Sequence, residues 1–171
     1  MNAFFGSSNK KVLTYGALAL FIGGALALFV LPFLNGAPAA ELSGDDAVTE
    51  WTWKGPYKDG GALEEQTERE IADLKSELGK KTYPDYQLLV GIAGQYELLG
   101  DGKNAYAYLE KAIQEDPKQG LAYINLGHLM ESLGAYDTAK EAYDTAVKLE
   151  PSNQAYAQAR AQFLAKRFPN Q

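Results

Sequence analysis

Tyr86–Pro117 reads YQLLVGIAGQYELLGDGKNAYAYLEKAIQEDP, and Gly120–Pro151 reads GLAYINLGHLMESLGAYDTAKEAYDTAVKLEP. Laid over one another with a shift of 34 residues, the two stretches fall into register: Leu89 on Tyr123, Ile92 on Leu126, Ala93 on Gly127 and Tyr96 on Met130. The match continues with Gly100 on Gly134, Ala105 on Ala139, Leu109 on Tyr143, Ala112 on Ala146 and Pro117 on Pro151. Self-similarity at such a period marks stacked supersecondary units, each too small to bury its apolar face alone.

Each copy reads as two helices. In the first, Pro84–Leu99 and Lys103–Glu115 flank Gly100-Asp101-Gly102; in the second, Gln119–Leu133 and Asp137–Leu149 flank Gly134-Ala135-Tyr136. Asp116-Pro117 and Glu150-Pro151 end the second helix of each copy, because proline cannot continue a helix and disfavours helical geometry in the residue before it. Ala93/Gly127 and Ala105/Ala139 fall where the two helices of a copy cross, and a large side chain there would force them apart.

This pattern resembles the tetratricopeptide repeat family, whose 34-residue signature runs through an aromatic, Leu-Gly, Tyr, Ala, Phe and Pro. The second copy supplies Tyr123, Leu126-Gly127, Met130, Ala139, Tyr143, Ala146 and Pro151; the first supplies Leu89, Ile92-Ala93, Tyr96, Ala105, Leu109, Ala112 and Pro117. The resemblance implies a right-handed stack whose concave groove, lined by the first helix of each repeat, holds partner peptides. By position the groove is then faced by Gln87, Val90, Gly94, Glu97 and Leu98, followed by Leu121, Ile124, Asn125, His128 and Glu131. Members of the family that clamp the C-terminal carboxylates of chaperones use Lys and Asn at set positions. Val90 and Gly94 stand at the first two of these and only Asn125 matches, so the resemblance implies a largely apolar groove without that clamp.

Outward from the repeats, residues 62–83 read as an amphipathic capping segment. Leu63, Ile71, Leu74 and Leu78 form a stripe, Glu64, Glu65 and Glu68 suit the helix dipole, and Gly79 is a C-terminal stop. Residues 84–117 and 118–151 are the repeats, and 152–171 holds a second capping helix opened by Ser152 or Asn153. Six helices are expected, an all-α fold in which caps at both ends complete a two-repeat solenoid.

The first forty residues differ in kind. Val12–Leu34 is 23 residues without a charge, and a helix of that length runs roughly 35 Å against a hydrocarbon core of about 30 Å. Residues 12–34 are therefore expected to cross the lipid bilayer as a signal anchor. Lys10 and Lys11 precede the stretch and no basic residue follows before Lys54, which places residues 1–11 in the cytoplasm and the repeats on the exported, periplasmic side. Cleavage after Ala37-Pro38-Ala39 is the competing reading, although the apolar run is longer than an ordinary signal peptide's. Ala19, Gly23 and Ala27, spaced by four, offer a small-residue face for packing in the membrane.

Residues 35–61 carry neither helical nor strand periodicity and read as a tether. Its aromatic residues Trp51, Trp53 and Tyr57 have three open roles: covering the protein's own helices, docking on a partner, or resting at the membrane surface.

The part after residue 40 has 14 basic against 22 acidic residues, a net −8, which disfavours nucleic acid as a partner. The chain has no cysteine and one histidine, His128, which removes thiolate sites and leaves no His-based metal cluster or triad. Neither a phosphate loop nor a nucleophile elbow occurs. The sequence thus points to a non-catalytic, cofactor-free protein that binds protein partners as a scaffold, assembly or accessory subunit of a membrane or envelope complex. An exported chaperone-like or receptor module, and a cytosol-facing organelle import receptor, are the alternatives.

Overall fold

The computed structural model describes residues 42–44 and 46–169 of the 171. Six helices follow one another: α1 (Ala62–Glu77), α2 (Asp85–Leu98), α3 (Gly102–Glu115), α4 (Gly120–Leu133), α5 (Tyr136–Leu149) and α6 (Gln154–Arg167). The pairs α2/α3 and α4/α5 pack most closely, and each pair meets its neighbours through α1 on α2, α3 on α4 and α5 on α6. This is a solenoid-like stack. The third contact copies the second, so α6 stands to α5 as α4 stands to α3.

The crossing points carry the small residues that the repeat register predicts. Ala93, Ala105, Ala112, Ala139 and Ala146 have no exposed surface, and Leu109 and Met130 are enclosed with them. Where the second repeat replaces Leu109 by Tyr143, the opposite helix replaces Ala93 by Gly127. A Cβ on Gly127 would stand 2.8 Å from the Tyr143 ring, so the larger ring and the smaller neighbour are one packing solution. Tyr143 in turn meets Phe163 of α6 at a centroid distance of 5.0 Å, and this contact seats the terminal helix.

α1 buries Thr67 and Ile71, and Ile71 joins Ile92 and Leu99 in a second small core beneath α2. Lys75 of α1 donates to the Tyr96 hydroxyl at 2.6 Å. Its ammonium also lies over the Tyr96 and Tyr108 rings at 5.0 and 5.3 Å. Contacts of this cation–π kind tie α1 to both helices of the first repeat.

Part of the stretch read as a tether is described by the structure, and of the open roles for its tryptophans it takes that of covering the protein's own helices. Residues 42–44 and 46–57 form a strap laid over the turns of both repeats. Trp53 N–H donates to Gly100 O at 3.0 Å, Tyr57 N–H to Leu98 O at 3.0 Å, and Gly102 N–H to Trp51 O at 2.8 Å. At the far end Ser43 N–H donates to Thr138 Oγ1 at 2.9 Å, and Leu42 and Val48 pack against the main core. Burial of apolar surface and otherwise unpaired backbone groups at the turns account for this docking.

The stretch 12–34, with its Ala19, Gly23 and Ala27 face, lies outside the described residues. Among the described residues no helix is long and apolar enough to cross a membrane.

Candidate protein-binding face

The ten residues expected along the concave face do not share one environment. Gln87 and His128 are exposed, as is Leu121 at 42 %, whereas Gly94, Glu97, Leu98, Asn125 and Glu131 are half-buried. Val90 and Ile124 are 8 % and 5 % exposed and belong to the main core. The face is thus less apolar than the sequence implies, because two of its four large apolar positions are spent on internal packing. Leu121 is the large apolar side chain that remains well exposed there.

His128 has a partner within the fold. Its Nδ1 lies 2.8 Å from the Tyr143 hydroxyl, and its ring meets the Tyr143 ring edge-on at 5.3 Å. The same hydroxyl reaches the Glu131 carboxylate at 3.4 Å. Glu131 also receives Lys166 of α6 at 3.0 Å and Arg167 at 3.6 Å. Burial opposes ionisation of Glu131, but the Lys166 hydrogen bond and the two nearby cations outweigh it and hold the carboxyl below the ordinary range.

Glu97 occupies the same place one repeat earlier and behaves in the opposite way. The register partners of Lys166, Arg167 and Tyr143 are Ser132, Leu133 and Leu109, none of which can supply a cation. Burial alone pushes the Glu97 carboxyl up to about 7. The equivalent helices α2 and α4 therefore present two carboxylates at equivalent positions, one neutralised from within and one not.

Trp51 and Trp53 are half-buried against the main core. Trp51 packs edge-on to Tyr106 at 5.5 Å, while Tyr57 remains 37 % exposed with its backbone held. A Cβ on Gly102 would stand 2.8 Å from both Trp51 O and Trp53 Cζ3, and one on Gly55 would overlap the backbone of Leu98–Gly100. Gly102 has Tyr136 as its register partner, so this glycine marks the strap's seat, a signal that the repeat alignment contained. Among the described residues no cluster of His, Cys, Asp and Glu could hold a metal ion.

Comparison with known proteins places residues 98–163 in register with the tetratricopeptide repeat family. That match runs from the end of α2 into α6, which agrees with the packing of α6 as the first helix of a further unit. Over 62 residues the chain is 39 % identical to the small glutamine-rich tetratricopeptide repeat-containing protein 2 of Mycosarcoma maydis, an alignment covering 36 % of this chain. The chain spans 18 % of that relative's length. The period of 34, the helix pairing and both comparisons converge, and they support the tetratricopeptide family for the repeat portion of this protein.

Proposed function

We propose that the protein is a membrane-anchored tetratricopeptide protein that binds other proteins, as a scaffold, assembly or accessory subunit of a membrane or envelope complex. The observation that carries the binding role is that Leu121, at a position the resemblance assigns to the concave face, is 42 % exposed, and that Gln87 and His128, assigned to the same face, are exposed as well. An apolar side chain among polar neighbours suits a partner segment better than it suits water. The half of the proposal that concerns location rests on the sequence. Val12–Leu34 has the length and composition of a spanning helix, and Lys10-Lys11 on one flank favour an N-terminus that stays inside with the repeats exported.

No chemistry is assigned to the site. Its residues offer hydrogen bonds, apolar contact and charge, and the work proposed for it is recognition. The test is co-purification of the intact chain after mild detergent extraction, together with a compartment-specific reporter fused after Gln171. Stoichiometric retention of one set of membrane proteins and an exported reporter are expected. A monodisperse protein without companions would count against the scaffold role, and a cytoplasmic reporter would reverse the topology.

A further inference from the structure

The two repeats differ at one place in a way that defines a ligand. Glu131 is satisfied by Lys166 and Arg167 of α6 and by the Tyr143 hydroxyl. The Glu97 side-chain carboxylate, 34 residues earlier, makes no hydrogen bond or ion pair among the described residues, and α4 offers it only Ser132 and Leu133 in the places of those cations. Beside it in the concave register, Gly94 stands where the second repeat has His128. A Cβ built on Gly94 would meet nothing within 4 Å, so the approach to this part of α2 is open.

We infer that the first repeat carries a receptor site for one basic side chain, Lys or Arg, of a partner protein segment lying along the concave face, with Glu97 as the receiving carboxylate and the open backbone at Gly94 as the way in. The inference rests on the binding role proposed above and names the chemistry of its ligand. The fold itself contains the template, since Lys166 and Arg167 reach Glu131 in the same manner from a neighbouring helix. A half-buried carboxylate without a cation holds an unfavourable desolvation energy that an incoming ammonium or guanidinium relieves. The net −8 of the part after residue 40 draws basic segments toward the domain from a distance. Leu121, one repeat along, supplies the apolar contact for the same segment.

The test is selection of a phage-displayed random peptide library on the full chain in detergent micelles, at high salt so that exposed charges are screened. Four variants run in parallel: Glu97→Gln, Glu97→Met, Glu115→Gln as a control of equal charge change on exposed surface, and Leu121→Asp. The native chain and Glu115→Gln should both enrich peptides with a fixed Lys or Arg, and those peptides should bind Glu97→Gln and Glu97→Met about tenfold more weakly. Survival of the basic preference in both Glu97 variants, or its equal loss in Glu115→Gln, overturns the inference and leaves the groove reading standing. If Leu121→Asp selects the same peptides as the native chain, or the native chain selects none, the groove reading falls and the inference with it. Far-UV circular dichroism of each variant separates lost binding from lost folding.

Discussion

Asp46 caps a helix that begins ninety residues further along the chain: its Oδ2 accepts from Thr138 N–H at 2.7 Å and from Thr138 Oγ1–H at 2.8 Å. Thr138 is the third residue of α5, where an N-cap side chain ordinarily binds. The first repeat supplies this bond locally, since Asp101 accepts from Asn104 N–H at 3.0 Å. Its register partner Ala135 has no side-chain acceptor, and the strap provides one instead. Asp46→Ala should therefore cost about 1 kcal/mol, while Asp46→Asn should keep most of the stability because asparagine caps comparably. Thermal melts of the two variants check this, and equal losses in both would mean that the charge, not the cap, is what matters.

The strap also makes its own reporter. Trp51 and Trp53 are the only tryptophans of the chain, and both sit in it. Gly102→Ala places a methyl 2.8 Å from Trp51 O and from the Trp53 ring, so the strap must lift there. The expected result is a red-shifted tryptophan emission with helical circular dichroism largely retained, because α3 gains a better helix former at its first position. Unchanged emission would show that the strap absorbs the methyl by sliding.

What the sequence disclosed and what it hid follow the same physical line. Helices α2–α5 begin and end within about a residue of their expected bounds, because each is set by local signals: glycine turns, the Asp-Pro and Glu-Pro stops, and a repeat that states every packing position twice. Docking of the strap stood among the open roles of its aromatics, but its course was not legible because its order comes from partners far away in sequence. Asp46, Trp51 and Gly55 have no periodicity of their own and find their places at Thr138, Tyr106 and Leu98–Gly100. The concave face was legible as a list of positions but not as an environment. Val90 and Ile124 sit at the expected register yet turn into the core, and the asymmetry between Glu97 and Glu131 needed Lys166 and Arg167 to be brought across from α6.

Glu97 also makes stability depend on pH in a definite direction. Its carboxyl rises from 4.5 to about 7 in the folded protein through burial, so between these values the folded state holds more protons than the unfolded state. Stability therefore falls as pH rises through this window, with a slope of at most about 1.4 kcal/mol per pH unit from this group. Glu110, also raised by burial against an opposing hydrogen bond from Tyr106, acts with the same sign. Glu131 and Asp144, both lowered in the folded state, contribute stability that is lost only as pH falls below the ordinary carboxylate range. Urea melts at pH 5 and pH 8 should show the native chain weaker at the higher pH, and Glu97→Gln should remove a large part of the difference. A difference that persists in the variant would assign the effect to other groups.

The terminal helix offers the sharpest test of how so short a solenoid stays folded. α6 rests on Phe163, which is 2 % exposed and touches the rings of Tyr143 at 5.0 Å and Phe168 at 5.6 Å. Its ionic contacts are weaker supports: the Lys166 side chain is 62 % exposed in its pair with Glu131, although Arg167 also lies 4.4 Å over the Tyr136 ring. Phe163→Ala should cost about 3–5 kcal/mol, whereas Lys166→Ala should stay within about 1 kcal/mol. Because Tyr143 fills the centre of the second repeat, loosening of α6 should spread into α4 and α5 instead of remaining at the end. Hydrogen exchange of Phe163→Ala checks this: faster exchange in α4 and α5 as well as α6 is expected, and loss of protection confined to α6 would make that helix an independent appendage.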